Sequence, residues 1–148
     1  MIRPARYTDT RELASFVEKF HKEKSNLGDI PIDRQSLTSF IDYHIGTSKH
    51  ICYIHVSGDD GEITGFILGG LSPFPHNQKA LWATDSMFIA DKGGAELLKR
   101  FHAWAWANKA KRIFHGVSTG DTRADALYTA IGMERMGGMY SLAPATNT

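Results

Sequence analysis

Phe88-Ile89-Ala90-Asp91-Lys92-Gly93-Gly94-Ala95 is the point at which the hydrophobic pattern changes period. Upstream, Ala80–Ala90 reads as a β-strand. Downstream, Leu97, Leu98, Phe101, Trp104 and Ala105 recur on one face of an amphipathic helix. Paired glycines at a helix start leave backbone N–H groups unshielded, so an anion can come close, and the helix dipole adds to the attraction. Lys92 sets a positive charge beside that point. The same Gly-Gly is equally the mark of a plain tight turn.

Outward from this junction the elements fall into an order. Toward the N-terminus, Ser72-Pro73-Phe74-Pro75-His76-Asn77 breaks regular structure, Glu62–Leu71 is a strand, Ser57-Gly58-Asp59-Asp60-Gly61 is a hairpin turn and His50–Val56 is a strand. Before them, Leu37, Phe40, Ile41 and Ile45 share a helical face after Asp33, and Ser25–Pro31 is a loop. An earlier helix carries Leu13, Phe16, Val17 and Phe20, with Asp9 and Glu12 spaced as in a capping box, and Ile2–Arg6 opens the chain as a short strand. Toward the C-terminus, Arg112–Ser118 is a strand and Thr122–Ile131 a short helix ended by Gly132. Met133–Leu142 has strand character interrupted by Gly137-Gly138. The predicted order is β-α-α-β-β-β-α-β-α-β. Three strands in succession pair antiparallel and the later β-α-β step pairs parallel, which gives an α/β fold with a mixed, mostly antiparallel sheet and helices on both faces.

The chain has 148 residues, enough for one domain spanning 1–148 with its own core, and Ala143–Thr148 reads as a frayed tail. Apolar residues make up 42% and charged residues 22%, and the net charge of +1 argues against a broad nucleic-acid or membrane-surface footprint. Only a local basic patch at Lys109, Lys111 and Arg112 remains. The single cysteine, Cys52, lies in the apolar run Ile51–Ile54 and excludes an intrachain disulfide. The first residues are charged and no 18-residue apolar span follows, so the expected location is the cytoplasm. Trp106 falls off the main apolar face of its helix, where it would suit a contact with a second chain, such as a homodimer partner.

Asp121-Thr122-Arg123-Ala124-Asp125-Ala126-Leu127-Tyr128, running on to Gly132, is the second candidate segment. Ala124, Leu127, Tyr128 and Ile131 share one helical face, so Tyr128 is either an inward functional group or a hydrogen-bonded core tyrosine. A strand, a Gly-rich turn and a helix, followed by a strand and a helix with A-x-x-L-Y-x-x-I-G, resemble the GNAT superfamily of N-acetyltransferases over nearly the whole chain. Within it, Trp104-Ala105, Lys111-Arg112-Ile113, Gly116–Gly120 and Gly137-Gly138-Met139-Tyr140-Ser141 are similar to short phage-encoded GNAT-like proteins.

The resemblance implies acetyl-coenzyme A as co-substrate and a small-molecule or protein amine as acceptor; the charge balance and the lack of metal-ligand spacing or an apolar span add the expectation of no nucleic acid, no metal and no membrane. The resemblance places Lys92, Gly93, Gly94 and Ala95 where the family's Q/R-x-x-G-x-G/A wraps the pyrophosphate. Backbone groups of Met87, Phe88 and Ile89 would pair with the pantetheine arm, and Asp121 stands where an asparagine often touches the coenzyme. Tyr128 takes the place of the general acid for the departing thiolate. The phosphate motif here is shortened. Loss of two charge-assisted contacts at ~1.5 kcal/mol each weakens binding on the order of 100-fold. The alternative is therefore a non-catalytic binding or structural protein that keeps the GNAT shape.

As an enzyme, the protein must present a neutral amine to the thioester. For a lysine-like amine that deprotonation costs about 4–5 kcal/mol at pH 7, so a base is useful. Asp85 is the first candidate and His115 the second, while backbone N–H groups near Phe88 would polarise the thioester carbonyl. Each also reads as an ordinary strand residue. Among the seven histidines, His50 and His55 fall on opposite faces of a strand, and no metal-ligand spacing occurs. His21, His44, His76 and His102 read as surface or helix-flank residues.

Overall fold

The run of consecutive strands settles the architecture. In the computed structural model of the chain, which describes residues 1–58, 61–117 and 122–145, β1 (Ile2–Pro4), β2 (His50–Ser57), β3 (Glu62–Phe74) and β4 (Asn77–Ala90) pair antiparallel in that order. A fifth strand, β5 (Ala110–Phe114), adds parallel to β4. Sheet order follows chain order. α1 (Thr10–Lys24) and α2 (Arg34–Gly46) connect β1 to β2, α3 (Gly94–Ala107) crosses from β4 to β5, and α4 (Thr122–Ala130) follows. The expected mixed α/β sheet is what forms. Two compact units make up the chain, Met1–His115 and Gly116–Thr148, and all five strands lie in the first.

Alternation along the strands builds two apolar layers. Cys52, Ile54, Val56, Phe66, Leu68 and Ile89 join Leu13, Ala14, Val17, Leu37 and Ile41 in one buried cluster beneath α1 and α2. On the opposite face, Arg100 of α3 lies over the Tyr53 ring and Glu96 faces His55. There α3 packs with Leu97, Leu98, Phe101 and Ala105 wholly buried. Truncating one of the large buried side chains to alanine removes about 2–5 kcal/mol.

Several elements depart from the pattern reading. Asp9 and Glu12 do not form a capping box at α1. The Asp9 carboxylate instead accepts both guanidinium nitrogens of Arg3, at 2.8 and 2.9 Å, and the Arg6 N–H at 2.7 Å. Glu12 accepts the Ile63 N–H of β3 at 3.1 Å. Asp9 thus caps the preceding turn at Tyr7–Asp9 while it pairs with Arg3, and Glu12 is drawn away to β3. The Ser72–Asn77 segment does not break the sheet either, because β3 and β4 run on to Phe74 and back from Asn77. Pro73 is tolerated there because the β2–β3 ladder stops at Gly70. Leu71 donates toward that side, to the Lys49 carbonyl, so two residues on the N–H that proline lacks would face no strand.

The parallel strand covers Ala110–Phe114, starting and ending earlier than the expected Arg112–Ser118, of which Ser118 lies outside the described residues, and Met133–Leu142 carries no helix or strand. Gly137-Gly138 removes side chains from the middle of that segment, and Met136, Met139, Tyr140 and Leu142 are exposed. His44 is not on the surface. It is 3% exposed with its Nδ1 2.9 Å from the Phe40 carbonyl oxygen, and burial pushes its pKa below the usual range. Trp106 is exposed, as its helical position implies. Among the described residues no helix is long and apolar enough to cross a membrane.

Candidate active site

β4 changes face in mid-strand. Leu68 pairs with Met87 and Gly69 with Asp85, so Ser86 is an extra residue in β4, a β-bulge. Simple alternation would set Asp85, Met87 and Ile89 on one face. The inserted residue keeps Met87 and Ile89 against the α1/α2 core and turns Asp85 to the face covered by α3. Glycine at position 69 is needed for this. A Cβ there would lie 2.2 Å from the Thr84 carbonyl oxygen and 2.7 Å from Asp85 Cα.

The bulge sits where β4 and β5 part. Their parallel ladder ends at Thr84 with Phe114. The next residues, Asp85 and His115, are joined by side chains instead, with Oδ1 and Nδ1 2.6 Å apart. The Asp85 side chain is 11% exposed and that of His115 is not exposed. His115 Nε2 lies 2.8 Å from Nε2 of His102 on α3, and the two rings are nearly parallel, 18° apart. Phe101 flanks His115 at 5.7 Å between ring centroids. Burial first, and then the neighbouring His115, pushes the pKa of His102 down to about 4.

Asp85 and His115, each a candidate base by sequence, are thus brought together, and His102 joins them instead of lying on a helix flank. Its signal was available. Leu98, His102 and Ala105 are spaced four and three residues apart and share the buried side of α3. Among the described residues no group of three His, Cys, Asp or Glu could hold a metal.

The turn after β4 is held from β3. The Thr64 carbonyl accepts the N–H groups of Asp91 at 2.8 Å and Lys92 at 3.2 Å. Gly93 is left-handed, φ 80°, and a Cβ on it would enter the His55 ring. The first helical bond runs from Leu97 N to Gly93 O, which leaves the N–H groups of Gly94, Ala95 and Glu96 outside the helical ladder. Around them the charges are mixed. Lys92 is exposed, Glu96 stands in the first turn, and Asp91 faces Lys24 at 3.9 Å. Such an exposed pair is worth ~0–1 kcal/mol. Beyond Thr84, the edge of β4 away from β3 carries no strand partner among the described residues, and Met87, Phe88 and Ile89 lie on it.

Tyr128 belongs to the second unit. It is half-buried, as are Ala124, Leu127 and Ile131 on the same face of α4, and its hydroxyl lies 3.5 Å from the Gly116 carbonyl oxygen. Asp121 lies outside the described residues.

No protein-family model matches the sequence, and no curated protein is recognisably similar to it. Solved structures are similar in shape. A mutant of the BH1408 protein from Bacillus halodurans is 21% identical, with a TM-score of 0.79 over 98% of this chain and 99% of that one. A predicted acetyltransferase from Clostridium acetobutylicum, solved with acetyl-CoA, is 16% identical, with a TM-score of 0.72 over 97% and 95%. An acetyltransferase from Trypanosoma brucei is 11% identical, with a TM-score of 0.74 over 97% and 99%. These are bacterial and trypanosomal proteins, so the closer likeness to phage-encoded proteins rests on sequence motifs alone. At such identities the likeness is one of fold, and the fold of this chain is that of the GNAT-type acetyltransferases.

Proposed function

We propose that the protein is an acetyl-CoA-dependent N-acetyltransferase acting on an amine of a small molecule or protein. The observation that carries this reading is the buried Asp85–His115 hydrogen bond at the point where β4 and β5 part. A carboxylate only accepts, so it holds the His115 proton on Nδ1 and turns Nε2 to the other side of the ring. That is the arrangement needed to take a proton from an amine as it attacks. Acetyl-CoA would supply the acetyl thioester. The edge of β4 at Met87–Ile89, which carries no strand partner among the described residues, offers backbone N–H and C=O groups to its amide-bearing arm, and Lys92 with the N–H groups of Gly94 and Ala95 offers its pyrophosphate a weak anion site. Asp121 would lie along the coenzyme, and Tyr128 would protonate the leaving thiolate, by the resemblance to the family.

A second reading, a binding protein without catalysis, is favoured by one observation. The Lys92 N–H is already engaged by Thr64, and Asp91 and Glu96 flank the turn with like charge to a phosphate. Calorimetric titration with acetyl-CoA separates the two. The transferase reading expects binding that Lys92→Glu weakens on the order of 10–100-fold, followed by thiol release when amines are supplied. Absence of binding at millimolar coenzyme would leave the binding-protein reading.

A further inference from the structure

We propose that His102 is the outer member of a three-residue proton relay, His102–His115–Asp85, with His102 Nδ1 as the atom that accepts the proton. The reading of the site as a transferase centre supplies the origin of the proton. The relay itself rests on geometry alone.

With His115 neutral, hydrogen-bond chemistry orders the chain from the Asp85 end. The Asp85 carboxylate is an acceptor, so His115 Nδ1 carries hydrogen and donates across the 2.6 Å contact. In neutral His115 the Nε2 is then a lone pair, and the nitrogen 2.8 Å away, His102 Nε2, must donate to it. His102 Nδ1 is left as the lone pair at the end of the chain, with no hydrogen-bond partner among the described residues. His115 is shut off from solvent, and both its ring nitrogens are taken by Asp85 and His102. His102 is half-buried and is the histidine from which the chain can be entered.

The transfer balances atom by atom. The N–H bond of the attacking amine breaks as a bond to His102 Nδ1 forms. The His102 Nε2–H bond breaks as the proton passes to His115 Nε2. His102 ends neutral in its other tautomer, and the charge rests on His115 beside the Asp85 carboxylate. Reversal of the same steps returns the proton outward. A neutral resting His102 is required, and burial, reinforced by His115, holds it so by pushing its pKa down to about 4. Among the described residues, these charged groups lie on the elements packed against the pair. Asp85 faces it from β4 and Lys99 precedes His102 by three residues on α3, whereas Glu96 and Arg100 are directed to His55 and Tyr53 of β2. Asp85 is a positioning residue in this scheme, since it fixes both tautomers through His115.

The test is two-bond 1H–15N correlation spectroscopy on protein carrying 15N-histidine, from pH 5 to pH 8. The wild-type protein is expected to show His115 protonated on Nδ1 and His102 protonated on Nε2 and neutral down to pH 5. In Asp85→Asn the amide donates to His115 Nδ1, and both tautomers reverse, as a carboxylate-to-amide change does to a histidine it orients. A wild-type His102 protonated on Nδ1, or a His102 tautomer indifferent to Asp85→Asn, overturns the relay. Once an acceptor amine is in hand, His102→Gln should lower kcat by ~10²–10⁴-fold with the KM for acetyl-CoA unchanged. An unchanged kcat also overturns it. Should no acetyl transfer occur, it is the proposed function that fails, and the spectroscopy alone decides the relay.

Discussion

Glycine 69 is the place where the fold and the site depend on one another, and Gly69→Ala puts a number on that dependence. The added Cβ would lie 2.2 Å from the Thr84 carbonyl oxygen, 2.7 Å from Asp85 Cα and 3.0 Å from Phe101 Cε2. Comfortable contact is about 3.5–4.0 Å. Two of the three neighbours are backbone atoms of β4 and cannot rotate away, so β3 and β4 must separate at the bulge by ~1 Å. Overpacking of this kind costs up to ~3 kcal/mol. Alanine returns ~0.5–1 kcal/mol by restricting the unfolded chain, which leaves a net loss of about 2 kcal/mol. With an unfolding entropy of about 2.1 cal/mol/K per residue over this length, the melting temperature should fall by ~6–7 °C. Differential scanning calorimetry reads this directly. Gly28→Ala, where a Cβ meets nothing within 4 Å, is the control and should stay within ~2 °C of wild type. If Gly69→Ala melts with the control, the close approach of β3 to the bulge is not what holds this part of the sheet.

The Arg3–Asp9 pair holds the Asp9 carboxyl below its ordinary range, first through the Arg3 hydrogen bonds, so its stabilisation is present above the unfolded value of 3.8 and is lost as pH falls through the lower folded value. Asp9→Asn should therefore cost ~1–3 kcal/mol in urea melts at pH 6, and the gap to wild type should narrow progressively as the pH is taken below 3.8. Cys52 is 2% exposed and burial pushes its thiol up to about 12, so it stays protonated at pH 8. An aromatic disulfide reagent should leave the native protein unlabelled and modify one thiol per chain in denaturant, and rapid native labelling would contradict the burial of β2.

Much of the fold was legible because its apolar periods are strong. The α3 stripe from Leu97 to Ala105, the antiparallel pairing of β2 with β3 and the crossover to a parallel strand each follow from spacing and from chirality. What was missed required knowing where neighbouring chains end. Pro73 looks like a breaker until β2 is seen to stop short of it. Asp9 and Glu12 look like one capping box until Arg3 and Arg6 are seen to take the first and Ile63 of β3 the second. Local signals set the menu, and the longer-range partner chose from it.

The site shows the same logic in sharper form. Asp85 and His115 could each be singled out by chemistry, yet nothing in their spacing says that they meet, because the meeting depends on Ser86 being one residue too many for the ladder. Isolated glycines within a strand pattern are the trace such an insertion leaves, and Gly69-Gly70 opposite Thr84-Asp85 is that trace. Were Ser86 paired in the ladder rather than bulged out of it, β4 would keep its phase and carry Asp85 with Met87 and Ile89 into the apolar layer under α1 and α2. A carboxylate there would lack a partner, and His115 would lose the acceptor that fixes its tautomer. The bulge therefore keeps the apolar face in phase and orders the proton-carrying groups by one and the same displacement, and what makes room for it is a glycine on the neighbouring strand rather than any residue of the site.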